Sequence, residues 1–155
     1  MNEQERNMKT LRTWLALLRA SNTIKKDIDS KLRTQFGISI SRFDILSALE
    51  RGGRNGLRAG ELSRQLFVSE GNTTQVIGKL IQEGLVLKRN DASDARVVIY
   101  SLSDEGKGLF EEMADKHRKW INETFREFSE DDLSVLQGLL GQLPPLMSNN
   151  EKDVA

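Results

Sequence analysis

Asn72, Thr74, Gln75 and Lys79 share the side of a helical segment, residues 70–83, that lies opposite Val76 and Leu80. Their side chains suit one kind of chemistry. The amides of Asn72 and Gln75 can donate to and accept from an adenine edge at once, Thr74 can meet a thymine methyl, and Lys79 can reach guanine or phosphate. Ser69 stands as N-cap, and Gly71 lets the start of the segment approach a phosphate backbone closely. An ordinary solvated helix face is the alternative. The four residues alone do not decide between the two; the elements around them do.

The apolar spacing predicts those elements. From Met8 to Phe36, Leu11, Trp14, Leu15, Leu18, Ile28, Leu32 and Phe36 recur at helical intervals, with Gly37 as the stop. Ser41 followed by Asp44 reads as a capping box opening a second helix through Phe43, Leu46 and Leu49, ended by Gly52, Gly53 and Gly56. Ala59–Leu66 is a short helix with Leu62 and Leu66 on one face. Phe67-Val68-Ser69 links it tightly to residues 70–83, where Thr73, Val76, Ile77 and Leu80 turn inward and Gly84 closes the helix.

The period then changes. Leu85–Lys88 and Val97–Leu102 read as strands joined by the polar residues 89–96, a hairpin. Ser103 caps a long helix carrying Leu109, Phe110, Met113, His117, Trp120, Ile121, Phe125 and Phe128. Ser129 with Asp132 forms another capping box, before Leu133, Leu136, Leu140 and Leu143. Short helix, tight turn, helix and hairpin is the order of a winged helix-turn-helix. In that arrangement the first helix braces the second, which projects side chains into a major groove about 12 Å wide. The hairpin tips the choice for residues 70–83 toward DNA contact.

Composition narrows the function. With no cysteine in 155 residues, thiol nucleophiles, disulfides and thiol redox sensing are excluded, and one histidine leaves a zinc site short of ligands. No metal, no cofactor and no enzyme activity are expected. The glycine-rich stretch 52–56 lacks the Gly-Lys-Ser/Thr ending of a phosphate-binding loop. No apolar run would span a bilayer, and the polar N-terminus lacks a signal-peptide core, so a cytoplasmic protein without a membrane partner is expected.

The formal net charge is zero, yet it is unevenly spread. Residues 1–102 carry 17 basic against 11 acidic side chains, and residues 103–155 carry 6 against 12. Such asymmetry fits one half binding a polyanion. Residues 59–102 hold five of each sign, so much of the excess lies upstream, among Lys25, Lys26, Lys31, Arg33, Arg42, Arg51, Arg54 and Arg58. Arg54 and Arg58 are open to either reading, phosphate contact or solvation.

From about Leu57 to Leu109 the sequence resembles the MarR family of bacterial transcription regulators. The resemblance runs through Glu61-Leu62, Arg64-Gln65-Leu66, Val68-Ser69, Leu80-Ile81-Gln82-Glu83-Gly84-Leu85-Val86 and Lys88-Arg89. It continues through the wing, Asp91-Ala92-Ser93-Asp94-Ala95-Arg96, and closes with Ser101-Leu102-Ser103-Asp104-Glu105-Gly106. It departs at Ser93, where many members carry an arginine at the wing tip. Arg96 and Arg89 must then supply the wing's charge.

The resemblance implies a mainly α fold with a small β wing, and terminal helices that build a homodimer. The expected layout is a dimerising N-terminal helix (1–36), a DNA-binding winged helix-turn-helix (37–102), dimerising C-terminal helices (103–147) and a flexible tail (148–155). The expected DNA-facing residues are Arg54, Arg58, Ser69, Gly71, Asn72, Thr73, Thr74, Gln75, Lys79, Arg89 and Arg96. Asp91 and Asp94 brace the wing, through ordinary turn chemistry. His117 reads first as a satisfied core or interface residue; with Trp14 and Trp120 it is also the candidate for an effector pocket, since the family's effectors bind between its dimerisation and DNA-binding parts.

The function expected is a sequence-specific DNA-binding regulator, a repressor of nearby genes acting on a near-palindromic operator and released by a small aromatic effector. A winged-helix protein-interaction module, or a constitutive regulator without ligand, is the alternative.

Overall fold

The structure, a computed structural model, describes residues 1–67 and 73–145. Ser69, Gly71 and Asn72, and the tail beyond residue 145, lie outside the described residues. The chain divides into two compact units, Met1–Trp120 and Ile121–Ala155.

The first unit begins with α1, Glu3–Phe36. Asn2 opens it: its side chain accepts the Glu5 N–H at 2.8 Å, and the Glu5 carboxylate accepts the Asn2 N–H at 3.0 Å. Gly37 ends it at φ 66°, a left-handed conformation that glycine adopts without a Cβ clash. Only Ile28 and Leu32 of α1 are fully buried.

Next is α2, Ile40–Gly52. Its cap differs from the expected Ser41–Asp44 box. Ser39 sits in extended backbone and its Oγ accepts the Arg42 N–H at 3.2 Å, while Asp29 of α1 accepts the Ile40 N–H at 2.8 Å. Asp44 serves elsewhere: it is buried and accepts the backbone N–H of Phe67 at 2.7 Å. Two serines two residues apart both offer a cap, and local sequence does not reveal which has extended backbone.

A short strand, β1 (Leu57–Arg58), precedes α3 (Ala59–Gln65) and α4 (Thr73–Gln82). Then come β2 (Val86–Asn90), β3 (Val98–Leu102) and α5 (Asp104–Thr124). The sheet is antiparallel in the order β1-β3-β2, with Leu57 opposite Tyr100 and Val86 opposite Leu102. Sequence spacing does not reveal β1, since two residues carry no period. Gly56 prepares it: at φ 73° its backbone lies against the Tyr100 carbonyl, where a Cβ would collide.

Leu85 and Val97 fall just outside the strands expected from them. Leu85 donates its N–H to the Leu80 carbonyl at 3.0 Å, and Val97 closes the hairpin turn with Asp91 and Asp94. The core gathers Ile28, Leu32, Ile45, Leu46, Leu49, Leu62, Leu80, Val86 and Met113, all below 2% exposed. Summed at about 1.5–3 kcal/mol per buried side chain, this burial is the main force holding the small helices and sheet together.

The long helix α5 ends at Thr124, short of the expected Phe128. In the second unit, Phe128 donates to the Phe125 carbonyl at 2.9 Å and its ring meets Phe125 edge-on at 5.4 Å, so the chain turns. Ser129 then opens α6 (Glu130–Leu140) through the expected box: Asp132 accepts the Ser129 N–H at 2.9 Å, and Ser129 Oγ accepts the Asp132 N–H at 3.1 Å. Among the described residues, no helix is long and apolar enough to cross a membrane.

Candidate nucleic-acid interface

The amphipathic period of α4 sets its two faces. Ile77 and Leu80 are buried and Thr73, Val76 and Ile81 half-buried, which leaves Thr74, Gln75 and Lys79 exposed together. Thr73, expected both inward and at the DNA-facing end, lies at the margin of the buried face.

The helix before it is braced on three sides. Glu61 accepts the Arg58 N–H at 3.0 Å, securing the start of α3, and Leu62 anchors its middle at 0% exposure. At its far end Arg51 donates to the Gln65 carbonyl at 3.3 Å and to Ser47 Oγ at 2.8 Å, with its guanidinium 5.3 Å from the Phe67 ring centroid. A cation there also complements the negative end of the α3 dipole.

The wing is a bonded loop. Asp91 donates its N–H to Val97 at 2.9 Å, and Val97 donates to Asp94 at 3.0 Å. The Asp91 carboxylate accepts both the N–H and hydroxyl of Ser93 at 3.1 Å, and these hold its pKa below the ordinary carboxylate value. The side chain of Arg96, then its backbone N–H, does the same for Asp94, with Nε at 3.1 Å and N–H at 3.0 Å. Asn90 closes the loop by donating to the Ala95 carbonyl at 2.6 Å. Ser93, the departure noted in sequence, thus bonds back onto the wing.

Sheet register brings two of the candidate cations into one row. Arg58 on β1 and Arg89 on β2 both pair with Ile99 of β3. Arg58 also reaches Asp91 at 3.4 Å, and Arg89 donates to the Asn55 carbonyl at 3.0 Å. Both are exposed, as are Arg54 and Arg96. The arrangement is an exposed polar helix face beside a sheet edge and loop rich in arginine.

The effector candidates sit on two helices. Trp14 on α1 is 54% exposed, while His117 and Trp120 on α5 are half-buried. The His117 ring lies 4.9 Å from Phe43, and burial lowers its pKa. A recess of about 320 Å³ is lined by Asn22, Lys25, Lys26, Asp29 and Ile40, and contains none of the three. Among the described residues, no cluster of three or more His, Asp or Glu side chains could hold a metal ion.

Three residues have roles here beyond those expected from the sequence: Asp44, expected as a capping-box partner, and Arg42 and Arg51, expected only as part of the upstream basic excess. A signal existed for Asp44, which interrupts the apolar run Phe43-Ile45-Leu46 and so must be buried with a partner.

Comparison with known proteins matches this geometry. Residues 36–97 match the sequence model of the MarR family. The HTH-type transcriptional regulator PecS of Dickeya dadantii (strain 3937) is 27% identical over 86% of this chain and 81% of its own. A MarR family transcriptional regulator from Silicibacter pomeroyi superposes with a TM-score of 0.72 at 28% identity, covering 91% of this chain and 98% of its own. A mutant MarR from E. coli, solved with operator DNA, has the same fold, with a TM-score of 0.76 at 19% identity over 88% and 96% of the two chains. By sequence match over residues 36–97 and by fold over most of its length, the chain resembles the MarR family of winged helix-turn-helix transcription regulators.

Proposed function

We propose that this protein is a homodimeric repressor that binds a near-palindromic operator in double-stranded DNA. The observation that carries the reading is the exposed Thr74, Gln75 and Lys79 face of α4, set on buried Ile77 and Leu80 and followed by a wing bearing Arg89 and Arg96. Thr74 and Gln75 read base edges, with Asn72 ahead of them. Lys79, Arg54, Arg58, Arg89 and Arg96 contact phosphates, while Asp91 and Asp94 keep the wing in shape. Two-fold symmetry places half-sites about one helical turn, ~34 Å, apart.

Residues 37–102 are the DNA-binding part; 1–36 and 103–147 supply the dimer surfaces. Support for the dimer comes from apolar side chains left open in each unit: Met8, Leu11, Trp14, Leu15 and Leu18 on α1, and Val135, Leu139 and Leu140 on α6. Repression is the simpler sign of action, since a dimer lying across a promoter blocks it without any further contact. A small aromatic effector, taken near Trp14, His117 and Trp120, releases the DNA by favouring a dimer state with a different separation of the α4 helices.

The test is a salt series on duplexes selected by the protein from a random pool. Selective binding that weakens linearly with log salt is expected. Salt-insensitive or absent binding overturns the reading and favours a protein-interaction winged helix.

A further inference from the structure

Three consecutive residues near the start of α2, Arg42, Phe43 and Asp44, each reach a different part of the chain. Arg42 forms an ion pair with Glu83, the residue just after α4. Phe43 packs its ring 5.7 Å from Phe110 and 4.9 Å from His117, both on α5. Asp44 accepts the N–H of Phe67, the last described residue before α4, at 2.7 Å. Successive helical residues differ in direction by about 100°, so one turn can reach three neighbours.

Two of these placements are costly. Asp44 is a carboxylate at 5% exposure. Arg42 has a side chain only 16% exposed, burial lowers its pKa, and its Nε has no hydrogen-bond partner among the described residues. Apolar side chains of similar volume at such positions are commonly neutral or stabilising. The nearby core does not depend on them, since Ile45, Leu46 and Leu49 already fill it at 0–1% exposure. What the two polar groups add is direction: Asp44 holds a backbone N–H ahead of α4, and Arg42 holds the Glu83 carboxylate behind it.

We propose that Arg42, Phe43 and Asp44 are positioning residues for the recognition helix, with Asp44 and Arg42 setting where α4 enters and leaves and Phe43 tying that setting to α5. This rests on the DNA-binding reading for its output but not for its geometry. A displacement of α5 at His117 or Phe110 presses on Phe43, and the same turn of α2 carries it to both flanks of α4. No separate hinge is needed, because the three residues are covalently adjacent.

The test combines amide hydrogen exchange with duplex discrimination, using the full chain and the variants Asp44→Ala, Asp44→Asn and Arg42→Gln. Asp44→Ala should speed exchange at Phe67 and along residues 73–83 by about tenfold, with β2 and β3 unchanged. It should also cut the affinity ratio between a selected duplex and a scrambled one by about tenfold, leaving the salt slope alone because no phosphate contact is lost. Asp44→Asn keeps an acceptor oxygen and should recover part of both. If Asp44→Ala does not fold, Arg42→Gln supplies the same two readings.

Faster exchange spread evenly over the domain overturns the proposal, since that marks a general loss of stability. So does faster exchange in α4 with undiminished discrimination. If the unaltered protein selects no duplex at all, the regulator reading fails, while the exchange pattern still decides whether α4 is positioned this way.

Discussion

Gly106 lies in backbone contact with Leu85: a Cβ on Gly106 would overlap the Leu85 carbonyl oxygen and stand 2.9 Å from its carbonyl carbon. The contact is one part of a lock between α5 and the start of β2. Ser103 donates its N–H to the Leu85 carbonyl at 3.1 Å and its hydroxyl to the Gly84 carbonyl at 2.5 Å, while its Oγ accepts the Gly106 N–H at 2.9 Å. Gly106→Ala should therefore lower stability by about 2 kcal/mol, because backbone must move to admit the methyl. Gly108→Ala is the control. Its Cβ meets nothing within 4 Å, and the change should stabilise α5 by about 0.5–1 kcal/mol. Urea midpoints of the two variants check this, and equal shifts would remove the proposed contact.

The same lock shows what could be read from the sequence. Ser103 as a helix cap was legible, because a hydroxyl before a helix has one common use. Its second bond to Gly84 and the need for glycine at 106 were not, since both depend on chain 19 to 21 residues away. The long helices, the wing and the inward face of α4 follow from period alone. By contrast, β1 is too short to have a period. The choice of Ser39 over Ser41 turns on backbone angles, and Asp44 is satisfied by Phe67, 23 positions distant. The exposed face of α4 was thus visible in sequence, and the braces that aim it were visible only in three dimensions.

On that face Gln75 and Lys79 should fail differently. Gln75→Ala should relax sequence preference at one base pair by about 1–3 kcal/mol while leaving the salt slope intact. Lys79→Ala should weaken binding to all duplexes alike and reduce the slope by about 1. Affinities on a set of single-base variants at several salt concentrations separate the two. An unaltered preference after Gln75→Ala would remove it from base readout.

Arg96 has a side chain 91% exposed, yet its guanidinium donates to the Asp94 carboxylate through Nε at 3.1 Å and Nη2 at 3.3 Å, so its charge is held at the wing rather than dispersed. Arg96→Ala should likewise lower affinity with a shallower salt slope, by about one unit. Circular dichroism should be unchanged, because a surface pair contributes little to stability. A slope identical to that of the unaltered chain would contradict phosphate contact by the wing.

The α1 stripe offers a test of assembly. Met8, Leu11, Trp14, Leu15 and Leu18 are 38–54% exposed, although their spacing is that of a packed helix face. Sedimentation at micromolar concentration should show a dimer. Leu11→Glu with Leu15→Glu should yield folded monomer that binds a selected duplex at least tenfold more weakly, since half of the contacts to a two-fold operator are lost. A dimer that survives both changes would assign the stripe another role.

His117 makes stability depend on pH in a direction that geometry fixes. Its ring is packed against Phe43, and burial lowers its pKa below the ordinary histidine value of 6.5. The folded chain therefore prefers the neutral ring. Between the ordinary value and the lowered one, the unfolded chain binds a proton that the folded chain does not, so stability rises with pH there. The contribution is complete above about pH 6.5 and is lost as pH falls toward the folded value. As the chain's sole histidine, His117 has no rival side chain of ordinary pKa in that window. The depressed carboxylates of Asp29, Asp91, Asp94 and Asp132 titrate below 3.8, well outside it. Urea midpoints should thus fall between pH 7 and pH 5 for the unaltered chain, and stay level for His117→Phe, which keeps an aromatic ring against Phe43. Equal pH dependence in both would mean that the histidine is as well hydrated in the folded chain as in the unfolded one.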